Sequence, residues 1–179
     1  MALTNEEKRI VKKTWSIACK NQTQTGVELF RRFVFISFKK IDFFIIQTKK
    51  KQKNIFFCRF FIQNPEYIPL FPFRDVSNIE ALVKDKRLKA HATNVAYTMT
   101  MMVENIDEPE IFSEMVDKLA RSHKRKGVVT SHFQNLKKVL FALLVDSLGT
   151  EVMNESAITA WAKAWEVIID ATIKYSNID

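Results

Sequence analysis

Apolar positions recur at three- and four-residue steps through most of the chain, the spacing of buried helical faces rather than of strands. The first such face is Val11, Trp15 and Ala18. It follows Thr4-Asn5-Glu6-Glu7, a capping-box pattern in which the Thr hydroxyl and the Glu carboxylate each satisfy a backbone N–H. A second helix is expected from about Thr23 through Val27, Leu29 and Phe30 to Arg32. Regular character resumes at Phe60-Phe61-Ile62, and Asn64-Pro65 marks a helix boundary, because the residue before proline is pushed out of the helical region. From about Ile79 one long face carries Leu88, His91, Val95, Thr98 or Met99, and Met102. Ile111, Met115, Val116 and Leu119 predict a shorter helix that ends near Ser122-His123, with Gly127 as its stop. Phe133, Leu136, Leu140, Leu143 and Leu144 form the next stripe, up to Gly149. Ile158, Trp161, Trp165, Ile168, Ile169 and Ile173 form the last. The expected class is all-α, in one domain spanning 1–179.

Composition supports that reading. Only 3 Gly and 4 Pro occur, and three of the prolines fall between Pro65 and Pro72, which leaves an all-β fold without turn residues. Two cysteines, Cys19 and Cys58, make no disulfide framework, the first residues lack the segments of a secretory signal, and a reducing cytoplasmic setting is expected. Charged residues interrupt every apolar run before it reaches the roughly 18–20 residues that span a bilayer.

The net charge of +8 is concentrated in one place. Residues 33–59 hold six Lys, one Arg and one Asp, a net of +6, so the other 152 residues carry +2. Phe, Ile and Lys supply 18 of these 27 residues, and their apolar positions keep neither a helical nor a strand period.

Three histidines are the main candidates for chemistry. His91 shares a face with Leu88 and Val95, where a lone histidine is more often a packed core residue than a ligand. His123 ends a short helix beside Lys124-Arg125-Lys126, a position that also suits a simple helix C-cap. His132 begins a helix and reads as exposed or as a local cap. No zinc-type spacing, Gly-rich phosphate loop or nucleophile elbow occurs, so hydrolytic and nucleotide chemistry have no motif behind them.

Several segments independently resemble the globin family. LTNEEKRIVKKTW is similar to a globin first helix, and PEYIPLFPF to the turn that delivers the haem-stacking phenylalanine, here Phe71. LKAHATNV resembles the distal helix, placing the distal histidine at His91 and the apolar residue one turn later at Val95. KLARSHKRKGV resembles the proximal helix and corner, placing the iron ligand at His123. GTEVMNESAITAWAKAWEVI resembles the final helix. The resemblance implies a three-over-three helical sandwich around haem, iron protoporphyrin IX. It also implies Leu119 on the proximal side, Val129 and Leu136 as further lining, Phe73 near the distal corner and Phe30 in the distal pocket. Arg87 and Lys89 are within sequence reach of propionates, with a solvated face as the preferred reading.

The implied function is reversible binding of oxygen or another diatomic gas for storage, transport or sensing. The alternative is a haem enzyme such as a nitric oxide dioxygenase, nitrite reductase or peroxidase. A reductase is a possible partner, whereas nucleic acid and stable membrane association are not expected.

Residues 33–59 have no counterpart in that resemblance, and joining ELFRR to FFIQNPEY restores an uninterrupted helix. The segment looks like translated intron. Its residues have A/T-rich codons, IFFCR back-translates to a pyrimidine tract ending in AG, and Arg32-Phe33-Val34 can encode a donor-like AG|GTTYGT. The competing reading is a genuine basic insertion that binds a membrane or a partner.

Overall fold

The structure is a computed structural model and describes residues 3–20, 60–76 and 79–176. The expected second helix with Phe30, and segment 33–59, lie outside the described residues. Six α-helices are described: α1 (Asn5–Lys20), α2 (Ile79–Lys84), α3 (Lys86–Glu104), α4 (Pro109–Lys124), α5 (Thr130–Leu148) and α6 (Glu155–Ser176). Residues 60–63 are also helical, and a 3-10 helix runs over Pro65–Leu70. There is no strand among the described residues.

The capping box opens α1 as expected. The Thr4 N–H donates to Glu7 Oε2 at 2.8 Å and the Glu7 N–H to Thr4 Oγ1 at 3.2 Å. The helix buries Val11, Trp15 and Ala18, and with them Thr14, a polar residue that the apolar pattern alone does not place inside. Thr14 is accommodated because its hydroxyl is fully used. It donates back to the Ile10 carbonyl at 2.9 Å and accepts the Trp161 indole N–H at 2.8 Å. Trp15 lies 5.8 Å from Trp161, ring centroid to ring centroid, which ties α1 to α6.

Helix α6 is the centre of the packing. It lies against α4, α1 and α5, while α3 packs on α1, α2 and α4. Its buried face alternates Trp161, Trp165, Ile168 and Ile169 with Ala157, Ala160, Ala164 and Ala171, small residues that admit neighbouring side chains between the large ones. Ile158 and Ile173, expected on this face, lie at its exposed margins instead.

Two further expectations are corrected. The long face from Ile79 is broken at Asp85, whose extended backbone (φ −65, ψ 127) and carboxylate cap a new helix by accepting the Arg87 N–H at 2.7 Å. In α4 the buried stripe is Phe112, Val116 and Ala120, with Met115 and Leu119 beside it. Ile111 is one residue out of phase and exposed.

Candidate functional site

The 3-10 helix, α3, α4 and α5 enclose a cleft of about 730 Å³, open mouth included. His91 and Val95 of α3 line it, as do His123 of α4, His132, Phe133 and Leu136 of α5, and Phe71 at the end of the 3-10 helix. Four of the thirteen lining residues, His91, His123, Lys126 and His132, carry nitrogen side chains; the others are apolar apart from the Tyr67 hydroxyl.

His123 is oriented by its own helix. Its Nδ1 is 2.9 Å from the Leu119 carbonyl, which can only accept, so Nδ1 carries the proton and Nε2 is left with its lone pair. Burial holds the ring's pKa below the ordinary value, so it is neutral at pH 7. A neutral imidazole with a free Nε2 is the form that binds iron.

The backbone after His123 fixes the corner. The His123 carbonyl accepts the N–H groups of Lys126 at 2.9 Å and Val128 at 3.1 Å. Gly127 has φ +77, a conformation that other residues adopt only with strain. This turn puts Val128 on the cleft wall and leaves Val129 outside, 49% exposed. The lining role expected for Val129 therefore belongs to its neighbour.

His91 lines the cleft from α3. Its ring meets Phe71 edge-on at 5.2 Å. Burial, with lesser contributions from the charges of His123 and Lys126, lowers its pKa to about 4, so it too is neutral near pH 7. Phe71 stacks on Phe73 at 5.1 Å and 18°, and meets Phe61 edge-on at 4.9 Å. Phe73 is thus the buried support behind Phe71 and not a wall of the cleft. Leu119, also absent from the wall, acts through the carbonyl that orients His123.

His132, expected to be exposed or a local cap, is half-buried and caps its helix: its Nδ1 accepts the Val129 N–H at 2.8 Å. It also lines the cleft, packed edge-on against Tyr67 at 4.3 Å, and burial lowers its pKa. Asn135 fixes Tyr67 by donating to its hydroxyl at 2.8 Å. Nothing in the apolar periodicity points to this pair, because their meeting depends on how the 3-10 helix crosses α5. Arg87 does not line the cleft and is engaged with Asp75, Asp85 and the carbonyl of Pro72 at its edge, and Lys89 is exposed.

Comparison with known proteins decides the family. The family model described as Globin matches residues 54–172, more than half of the chain. The chain belongs to the globin family. This globin therefore has haem as its cofactor and binds diatomic gas ligands. It is 25% identical over 162 residues to cytoglobin-2 of Danio rerio, covering 90% of this chain and 75% of that protein. It is 22% identical over 175 residues to an anaerobic nitrite reductase of Gossypium hirsutum, covering 96% and 92%. Its fold matches the hexa-coordinate haemoglobin of Drosophila melanogaster, solved in work on cyanide binding and heme-cavity transitions. There the TM-score is 0.69 at 23% identity, covering 96% of this chain and 94% of that one.

The cleft fits that cofactor on its own chemistry. It offers one neutral imidazole with a committed Nδ1, a second neutral imidazole lining the same cleft, and aromatic and aliphatic walls for a flat apolar macrocycle. No cluster of three or more metal-ligating His, Cys, Asp or Glu side chains occurs among the described residues, and haem needs none. No described helix is long and apolar enough to cross a membrane.

Proposed function

We propose that this globin binds oxygen reversibly, as a store or carrier, with His123 as the proximal iron ligand and His91 as the distal residue. The observation that carries the reading is that His123, its Nδ1 held by its own helix, and a neutral His91 on another helix line one largely apolar cleft. When bound, haem supplies an iron centre that takes a diatomic ligand. His123 would hold that centre through Nε2, its ring oriented by the Leu119 carbonyl. His91, neutral at pH 7, would set a ring N–H against the partial negative charge on a bound ligand. Phe71, Val95, Phe133 and Leu136 exclude water, which slows loss of the ferrous state.

A second reading is nitrite reduction, favoured by the likeness to the Gossypium hirsutum protein of that name and by Lys126, a cation on the cleft wall that suits an anionic substrate. One series of spectra separates the two. Carrier function is expected to give a ferrous form that takes up and releases oxygen over many cycles. Rapid nitric oxide release from nitrite, with poor oxygen reversibility, would favour the enzyme. Sharp visible bands in the deoxy ferrous state would show His91 itself on the iron, as in a hexa-coordinate globin.

A further inference from the structure

Helix α4 carries opposite charges at its two ends, and the charge continues past both of them. Glu108 is its N-cap residue and Glu110 stands in its first turn, while Arg121 and Lys124 stand in its last, the order that suits a helix dipole. Upstream, Glu104 closes α3, and downstream Arg125 and Lys126 extend the basic run into the corner. Glu104, Glu108 and Glu110 are exposed and make no salt bridge among the described residues, and the same holds for Lys124, Arg125 and Lys126. The acids between the two patches are already engaged, Asp107 with Lys12, Glu114 with Arg121 at 2.8 Å and Asp117 with Lys174 at 2.9 Å. Each end also exposes a large apolar side chain, Ile111 at 51% and Val129 at 49%. One helix of 16 residues, about 24 Å long, thus separates an acidic patch from a basic one, each with an apolar residue among its charges.

We propose that the acidic patch of one copy of this chain docks on the basic patch of a second copy, so that the protein self-associates head to tail. The inference goes beyond the gas-binding reading and does not depend on it. Each contact sets Glu104, Glu108 and Glu110 opposite Lys124, Arg125 and Lys126, with Ile111 and Val129 as its apolar residues. The contact is heterologous, so every copy keeps one patch free and further copies add unless a ring closes.

Charge complementarity selects a second copy as the occupant. It alone engages both patches, because each supplies what the other lacks. A nucleic acid would use only the cations, and a site that neutralises many phosphates needs a longer basic track. A membrane site needs an amphipathic helix with a broad apolar face, and one half-exposed valine does not supply it. Two α4 helices laid antiparallel about a two-fold axis would also pair the patches. That arrangement brings the exposed Lys118 of each copy together near the middle of the helix, where Glu114 and Asp117 are already engaged. Small interfaces of this kind are steered by charge more than held by buried area, so the association is weak and salt-sensitive.

The test is sedimentation velocity of the haem-loaded full chain over a concentration series reaching about 1 mM, where weak complexes form. The variants are Glu108→Gln/Glu110→Gln and Lys124→Gln/Arg125→Gln, with Lys126, which lines the cleft, left in place. Glu108 makes no side-chain cap hydrogen bond, so its replacement leaves the start of α4 intact. At about 10 mM salt the wild-type sedimentation coefficient is expected to rise with concentration, and about 0.5 M salt is expected to abolish the rise by screening. Each variant alone is expected to associate at least about tenfold more weakly. An equimolar mixture of the two is expected to recover association and to stop at a dimer, because it holds one intact patch of each sign per pair. That recovery also shows that both variants are folded. A wild-type chain that stays monomeric throughout at low salt would overturn the proposal, as would a mixture that recovers nothing. Association that survives in Lys124→Gln/Arg125→Gln alone would overturn it too, by assigning the acidic patch to another basic part of the chain.

Discussion

The Nδ1–H of His123 donates to the Leu119 carbonyl, one turn earlier on α4, at 2.9 Å. Because both groups belong to one helix, the tautomer and the direction of Nε2 are set before any cofactor arrives. His123→Gly is therefore expected to lose stable haem binding, and imidazole added to the solution is expected to restore a Soret band by occupying the vacated space. A variant with full haem content and no added imidazole would show that another group ligates the iron.

His91 is buried and meets the edge of Phe71. His91→Leu keeps the apolar lining and removes the N–H donor. Haem content is expected to hold, oxygen dissociation to speed up by about tenfold or more, and oxidation of the ferrous form to accelerate. The size follows from losing one hydrogen bond to a partly charged acceptor, about 1.5 kcal/mol. Flash photolysis and the decay of the oxy spectrum measure both, and unchanged kinetics would remove His91 from the ligand's surroundings.

Thr14 and Trp161 form a buried donor–acceptor pair between α1 and α6, at 2.8 Å. Thr14→Val preserves shape and leaves the indole N–H without its acceptor. A loss of about 1–3 kcal/mol in urea unfolding is expected, and much of it should be recovered in Thr14→Val/Trp161→Phe, where no donor remains. Strictly additive effects would mean that the hydrogen bond contributes nothing.

Helix α1 packs on α3, α5 and α6, so the residues on either side of segment 33–59 already share one core. A 152-residue form lacking residues 33–59 is expected to fold and to bind haem. If the segment is intron-derived, mature transcripts should read directly from the codon of Arg32 or Arg59 into Phe60. Uninterrupted reads through the segment in most messages would establish it as protein.

Where the sequence pattern succeeded and where it slipped has a common physical basis. Trp15, the Thr4–Glu7 cap and Gly127 were legible because each depends on neighbours within a few residues. His91 and His123 carried no decisive local signal, and each fitted a bland role until the family resemblance joined them. Ile111 and Val129 were misplaced by a single residue, which is enough to turn a helical or corner side chain outward. The His132–Tyr67 contact was invisible because it spans 65 positions and is set by the crossing of two elements. Periodicity reports which side of a helix is buried, and it does not report which other helix that side meets.

All three histidines are held below their ordinary pKa by burial, His91 to about 4. Between pH 4 and 6.5 an unfolded chain protonates His91 while the folded haem-free protein does not. The stability that neutral His91 supports is thus fully present above about pH 6.5 and is lost as pH falls toward 4. The drop from 6.5 to about 4 corresponds to roughly 3 kcal/mol at the lower end of that window. The paired carboxylates act elsewhere on the scale. Asp85, lowered to about 2 by the Arg87 guanidinium, begins to lose its contribution only below its ordinary value near 4. Urea midpoints of the haem-free protein are accordingly expected to fall steadily from pH 7 to pH 4.5, and His91→Leu is expected to flatten that slope. A wild-type midpoint independent of pH over this range would mean that the cleft admits water and a charge on His91 without opening the fold.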